Sequence, residues 1–290
     1  MAGRSIIWLE NPLTGTQTET IEDEREIKRQ VRAFYDSVGW KEISDGLYQN
    51  ARFEDLRPVT QEYIHRCHMR VLRHIAPVGR LFLDAGSGPI QYPEYLEYSR
   101  GYERRVCADL SMTALKAAQE RIGEKGLFVV SDVSRLPFFS NAFDAVVSLH
   151  TIHHLPEGEH AMAYLELHRV LAPRQTGVVV NGWDDSPLMH VLDRLKAWLR
   201  GRKKAEMGEE TEETGTFVQK HDARWLKQSL GKKIRIKILV WRSTSTNVLR
   251  FFIREEWFGK FLLRVLYRLE EFFPSFFGEK GLYPLIVITK

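Results

Sequence analysis

The sequence predicts an α/β fold, a mostly parallel sheet with helices on both faces. Three observations predict it. Short apolar runs recur at 81–85, 105–109, 127–132, 143–149 and 177–183, with helical patterns at 111–122 and 158–172 between them, the alternation of a parallel sheet. The first run ends in the glycine turn Asp84-Ala85-Gly86-Ser87-Gly88-Pro89. Carboxylates stand at the ends of successive runs, Asp84, Asp109 and Asp132, where open α/β sheets bind ligands.

The elements follow in order. The first twenty or so residues lack periodicity and read as a loose start, with order beginning near Ile21. From there to Ala76 charged and apolar residues alternate at helical spacing, broken at Gly39, Gly46 and Pro58. Residues 1–76 thus read as a cap of several short helices, and 77–290 as the main domain, with insertions at about 186–230 and 244–280. Leu81–Ala85 is the first buried strand. The helix at 111–122 has Ser111 as its N-cap and stops near Gly123; the helix at 158–172 is followed by Pro173. A helix at 187–200 leads to Glu209-Glu210-Thr-Glu212-Glu213, too polar for a core and read as a mobile loop. Period-two alternation at 233–242 and the run at 282–289 read as two last strands at a sheet edge. Between them, Trp257, Phe258, Phe261, Leu262, Val265, Leu269, Phe272 and Phe273 share one helical face, with Arg264, Arg268, Glu270 and Glu271 opposite. The charges exclude a membrane span; a packed substrate lid is the first reading, and peripheral membrane contact through 247–277 the second.

Composition narrows the class. Hydrophobic residues at 43% and charged residues at 28% are globular values, which excludes fibrous and disordered chains. Cys67 and Cys107 lack zinc-ligand spacing and fit a reducing compartment, and the opening residues have no signal-peptide run, so the cytoplasm is expected. Net charge is +4, concentrated in residues 183–290, with 21 Lys/Arg against 14 Asp/Glu. A solvated helix face is the plain reading of that bias.

The glycine turn brings backbone close to a ligand, and Asp109 closes the next strand at the distance where nucleotide-binding folds place a carboxylate for ribose hydroxyls. A dinucleotide is disfavoured. The sixth position of Gly-x-Gly-x-x-Gly is Gln91, and Asp84 beside the loop repels a pyrophosphate while suiting a cationic amino acid.

Over residues 78–183 the sequence resembles the class I S-adenosylmethionine methyltransferases, in particular the small-molecule branch that includes ubiquinone and menaquinone methyltransferases. The resemblance rests on Leu-Asp-Ala-Gly-Ser-Gly-Pro, Ala-Asp-Leu-Ser, Ser-Asp-Val-Ser-Arg-Leu-Pro-Phe, Phe-Asp-Ala-Val-Val-Ser and His-His-Leu-Pro, in that family's order. It implies a Rossmann-like, seven-stranded, mostly parallel sheet, with S-adenosyl-L-methionine as methyl donor and S-adenosyl-L-homocysteine as product. It also implies that Asp84, Gly86, Ser87 and Gly88 hold the methionine part, Asp109 and Leu110 the ribose, Asp132 and Val133 the adenine, and Leu149 and His150 the sulfonium side. One departure is Ile90, where the family often has a third glycine.

A sulfonium is an activated leaving group, so alignment in a dry pocket is the main task and can supply about 7–11 kcal/mol. A base is needed only where the acceptor loses a proton. His153 and His154 are the candidates, since imidazole titrates near neutrality. Tyr35, Trp40, Tyr48 and Tyr63 are candidates to line the acceptor pocket, with His65, Arg70, Asp184 and Asp185 as polar candidates. No metal site is expected: His150 and His154 have helical ligand spacing without a further ligand. The predicted activity is methyl transfer to an O, N or C atom of a small, partly hydrophobic acceptor. A nucleic-acid substrate is not expected, because Ser-Leu-His-Thr stands where amino-methylating DNA enzymes have Asn/Asp-Pro-Pro-Tyr, and the third reading is a non-catalytic S-adenosylmethionine-binding protein.

Overall fold

A computed structural model describes residues 15–44, 47–49, 51, 54–200, 216–254 and 257–290. In chain order the elements are α1 (Gly15–Phe34), which runs into a π-helical turn at Tyr35–Gly39, the ribbon β1 (Glu42–Ser44) and β2 (Leu47–Tyr48), and α2 (Gln61–Met69). Then come β3 (Gly79–Ala85), α3 (Glu94–Glu97), β4 (Tyr102–Asp109), α4 (Met112–Ile122), β5 (Gly126–Val130), β6 (Ala145–Leu149), α5 (His160–Val170) and β7 (Thr176–Val180). The last part holds α6 (Pro187–Arg200), α7 (Ala223–Leu230), β8 (Arg235–Arg242), α8 (Thr246–Phe252), α9 (Trp257–Phe272), α10 (Pro274–Lys280) and β9 (Tyr283–Thr289).

The seven strands β3–β9 form one sheet in the order β5-β4-β3-β6-β7-β9-β8. The first five are parallel; β9 runs antiparallel to both β7 and β8. Two apolar layers cover its faces, one around Leu83, Val106, Val146 and Leu167, the other around Phe82, Cys107, Val147 and Trp241. Side chains alternate across each strand, so consecutive residues such as Phe82 and Leu83 feed opposite layers. The order reverses between β3 and β6, and that switch point opens the crevice where such sheets bind ligands.

The five parallel strands and the two last strands stand where the apolar runs placed them, and Ser111 caps α4 by accepting from the amide of Ala114. Four expectations are corrected. Among the described residues helix already runs from Gly15, ahead of Ile21, and α1 is one 20-residue helix where several short ones were expected. The segment after it forms a small antiparallel ribbon. β8 is an edge strand, but β9 lies inside the sheet, paired on both sides, and its residues 284–288 are buried. The aromatic face of α9 is not packed as a lid: Trp257, Phe261 and Phe272 are 80%, 52% and 76% exposed. The helix buries Gly259, Leu263, Tyr267 and Glu270 instead. Glu270 tolerates burial because Arg70 Nη1 (3.0 Å), the Tyr63 hydroxyl (2.8 Å) and the Ser243 amide (3.0 Å) and hydroxyl (2.6 Å) all donate to it. The acidic stretch 209–213 lies outside the described residues.

Candidate active site

The glycine turn closes on itself tightly. Gly86 and Gly88 both have positive φ, 74° and 53°, which side chains strain to adopt. A Cβ at Gly86 would fall 2.2 Å from Thr151, and one at Gly88 3.0 Å from the indole of Trp40. Ile90, at φ 58°, takes the left-handed conformation that favours glycine. It accepts that strain, of about 1–3 kcal/mol, with its side chain fully buried in the layer around Phe82. Ser87 is buried, its amide donating to the Ala108 carbonyl at 3.3 Å.

Asp109 ends β4 beneath this turn. Its Oδ2 accepts from the Gly88 amide and its Oδ1 from the Ser111 amide, both at 2.9 Å. Burial pushes its carboxyl up to about 6 against the pull of those amides, with Asp84 and Asp36 adding to the rise. Leu110 is half-buried beside it. Each Asp109 oxygen keeps lone-pair capacity for a ligand hydroxyl.

Asp84 is placed otherwise than its charge suggested. It is buried in an ion pair with Arg105 of β4, which also donates to the Tyr95 carbonyl at 2.6 Å and lies over the Phe82 ring. An arginine cannot shed its charge, so the Asp84 carboxylate serves first as its counter-ion and does not stand free for a cationic ligand. Asp132 lies two residues past the end of β5, its Oδ1 accepting from the amide and hydroxyl of Ser134, both 2.8 Å. Its other oxygen pairs with Lys28 of α1, which also pairs with the nearly buried Glu159. Val133 turns its side chain into the core, leaving only its backbone to the crevice side. Leu149 packs, half-buried, on the Phe82 layer.

The N-terminal segment lies over these groups. Besides Lys28 on Asp132, Asp36 accepts from the Ser111 hydroxyl, Trp40 covers Gly88, and Tyr35 stacks on Trp40 with ring centres 4.8 Å apart. The Tyr35 hydroxyl meets Nε2 of His154 at 2.7 Å. His154 Nδ1 donates to the Phe217 carbonyl at 2.8 Å, and His153 Nδ1 lies 3.2 Å from Asn181 Oδ1. Burial holds both imidazoles below the ordinary range, His154 at about 4, and His154, His150 and Lys220 add to the fall at His153. Both are therefore neutral at pH 7.

A second cluster was not anticipated. β8 runs parallel to β7, so its end, Trp241 and Arg242, meets the start of β9, Tyr283, at the carboxyl edge where His150 follows β6. His150, at φ 54°, has its ring 5.0 Å from Trp241 and 5.7 Å from Tyr283, and burial pulls it down to about 3. Buried Arg242 pairs with Glu54 of the cap, and Glu54 Oε2 lies 3.2 Å from Nε2 of His68, which stacks on Trp241 at 5.2 Å. Burial disfavours charge on Glu54, but Arg242 and His68 outweigh it and hold the carboxyl well below its usual range. His68 is likewise lowered by burial and raised more by Glu54 and Glu94. The indole nitrogen of Trp241 and Nε of Arg242 are buried without a hydrogen-bond partner. Nothing in spacing linked Glu54, His68 and Arg242; the packing of the cap and α2 on the end of β8 joins them.

The remaining candidates lie elsewhere. Tyr63 and Arg70 are committed to Glu270 between α2 and α9, so Tyr63 is not at the crevice. Tyr48 is buried at the edge of the Trp40 ring. His65 is exposed and bonded to Glu94. Asp184 is exposed, and Asp185 pairs with His190 at the surface.

The donor set fits an adenosyl amino acid. A backbone cradle that a Cβ would fill, a carboxylate at the end of β4 and another beyond β5 are the groups needed for backbone, ribose and base.

Comparison agrees. Residues 83–179 match the model of the family described as a methyltransferase domain. No curated protein matches the chain in sequence. Among solved structures, the fold resembles Haemonchus contortus phosphoethanolamine N-methyltransferase 1, at TM-score 0.56 and 11% identity over 98% of this chain and 51% of that one. It also resembles a Haloferax volcanii methyltransferase solved with its Trm112 activator, at 0.51 and 15%, over 80% and 91%. A geranyl diphosphate methyltransferase solved with its substrate and sinefungin matches at 0.51 and 15%, over 91% and 99%. At these identities the likeness establishes the fold alone. Within that fold, residues 83–179 carry a methyltransferase domain.

Proposed function

We propose that the chain methylates an O, N or C atom of a small, partly hydrophobic acceptor, in keeping with its resemblance to the small-molecule branch, and that it works in the cytoplasm. The observation that carries this reading is the cluster of His150, Trp241 and Tyr283 at the carboxyl edge, Trp241 buried and the other two half-buried, beside the residues assigned to the donor. Residues 1–76 act as the cap in this reading and 77–290 as the methyltransferase domain.

When bound, the donor supplies an electrophilic methyl group on sulfur. Asp109 accepts from the ribose hydroxyls while its other lone pairs hold the Gly88 and Ser111 amides. Gly86, Ser87 and Gly88 present backbone to the methionine part, and Asp132 and the Val133 backbone hold the adenine. Asp84 acts through Arg105, whose bonds to the Tyr95 carbonyl and Asp84 fix the turn from below. Trp40, Tyr35 and the rings of the second cluster exclude water, so the acceptor is held in line by packing. His153 and His154 are neutral, the form that can take a proton, but His154 has both nitrogens engaged while Tyr35 is in place. His153 is therefore the better base where the acceptor must lose a proton. Glu54, His68 and Arg242 offer an ion-paired wall to a polar group of the acceptor.

Calorimetric titration with S-adenosylmethionine and S-adenosylhomocysteine, with NAD as competitor, tests the donor site. Saturable binding of the adenosyl ligands and not NAD supports it and opens an acceptor screen. Methylation confined to RNA or DNA, or to strongly charged acceptors, overturns the acceptor class.

A further inference from the structure

We infer that α9 docks the protein on an anionic lipid surface. At about 100° per residue, Trp257, Phe258, Phe261, Val265, Leu269 and Phe272 fall in one arc of about 120°, and all six are exposed, from 38% at Val265 to 80% at Trp257. Phe276 of α10, just past the end of α9, is 57% exposed as well. A stripe this aromatic and this long exceeds the scattered apolar residues of an ordinary surface.

The helix cannot turn the stripe inward. Its opposite face is tied down by Glu270, which takes hydrogen bonds from Arg70, Tyr63 and Ser243, and by Tyr267, whose hydroxyl accepts from Arg73 at 2.9 Å. The aromatic arc is thus the face that the fold holds outward.

Charge selects the occupant. Both acids of α9 are neutralised, Glu270 by Arg70 and Glu271 by Arg70 and Arg73. Lys260, Arg264 and Arg268 border or enter the arc, which corrects the opposite-face placement expected for the two arginines; Arg250 and Arg254 stand exposed just before it, with Glu255 and Glu256 the acids next to Trp257 in sequence. Among the described residues Arg264 meets an acid, Glu62 at 3.4 Å, with both groups exposed. The result is an aromatic stripe with a cationic margin, the pattern of helices that lie in the headgroup region of anionic bilayers. A second copy of the chain fits less well, because in a twofold contact the patch meets itself and the basic margins face one another. None of the described helices is long and apolar enough to cross a membrane, so the contact is peripheral.

Co-sedimentation of the full chain with vesicles of phosphatidylcholine alone, and of phosphatidylcholine with one quarter phosphatidylglycerol, tests this without reference to methyl transfer. Binding is expected to the anionic vesicles, reduced several-fold by 0.5 M salt and at least tenfold by the double substitution Phe261→Glu and Phe272→Glu, with S-adenosylmethionine binding unchanged as the check on folding. The inference is overturned by absent or charge-independent binding, by a double variant that binds as the wild type does, or by light scattering that shows a dimer which the same substitutions dissociate.

Discussion

The Tyr35 hydroxyl donates to Nε2 of His154 at 2.7 Å, and the direction is settled by the other side of the ring: Nδ1 faces the Phe217 carbonyl at 2.8 Å, which can only accept. One tautomer results, and the cap and the loop after β6 are joined through it. Tyr35→Phe leaves Nε2 unpaired, and a loss of about 1–3 kcal/mol of stability is expected in denaturant titration. If His153 is the base, the variant retains methyl transfer once an acceptor is known; a parallel collapse of rate would move the role to the Tyr35–His154 pair.

In the proposed donor site Asp109 is the acceptor for the ribose. Its replacement by alanine removes an acceptor for the ribose and strands the amides of Gly88 and Ser111. Charge-assisted hydrogen bonds contribute about 1.5–3 kcal/mol, so S-adenosylmethionine affinity should fall about 10- to 150-fold. Unchanged affinity in a folded variant would remove Asp109 from the site.

The same carboxyl, raised to about 6 by burial, predicts a pH dependence. An acid whose folded value lies above its unfolded value binds a proton more tightly when folded. Its contribution favours the folded state below about pH 4 and is lost as pH rises through 6. Donor binding runs the other way, since the ionised carboxylate is the better acceptor. Affinity measured from pH 5 to 8 should rise and level off above 6, and Asp109→Asn should flatten the profile.

Lys28 bridges Asp132 and Glu159, the latter with 5% of its side chain exposed. Lys28→Met leaves two carboxylates facing each other, and α1 should lose its amide protection in hydrogen exchange while β3–β7 keep theirs. A global loss of about 1–3 kcal/mol is expected. Protection of α1 equal to that in the wild type would show that the helix is held by its other contacts.

Ile90→Gly sets strain against packing. Relief of the left-handed backbone returns about 1–3 kcal/mol, but a fully buried isoleucine is lost, which costs about 2–5 kcal/mol even when alanine remains. Net destabilisation is expected in chemical unfolding. A more stable variant would mean that the loop, and not the core, sets the conformation there.

The parallel sheet was legible because each buried strand is a short apolar run closed by a turn, as Leu81–Ala85 is by Gly86, and the carboxylates followed from their places at strand ends. Asp84 was read correctly as a buried strand residue and wrongly as a free charge, since its partner Arg105 is distant in sequence and register alone brings the two together. Glu54, His68 and Arg242 were invisible because they meet only where the cap and α2 pack on the end of β8. In α9 the 3.6-residue period marked an aromatic stripe but not which way it faces. That choice is made by Arg70 and Ser243, which rescue Glu270 from the cost of burial.

The position of β9 bears on how the protein assembles. Strand β8 pairs with β9 and with no other strand of the seven, and β7 has only β9 on its outer side. Until residues 283–289 emerge and slot between them, a nascent chain carries a five-stranded sheet with an open edge and a detached amphipathic strand, both prone to pair with neighbouring chains. Any truncation before Tyr283 would freeze that intermediate, so recovery of soluble product from shortened chains should drop abruptly at this point and not in proportion to the residues removed.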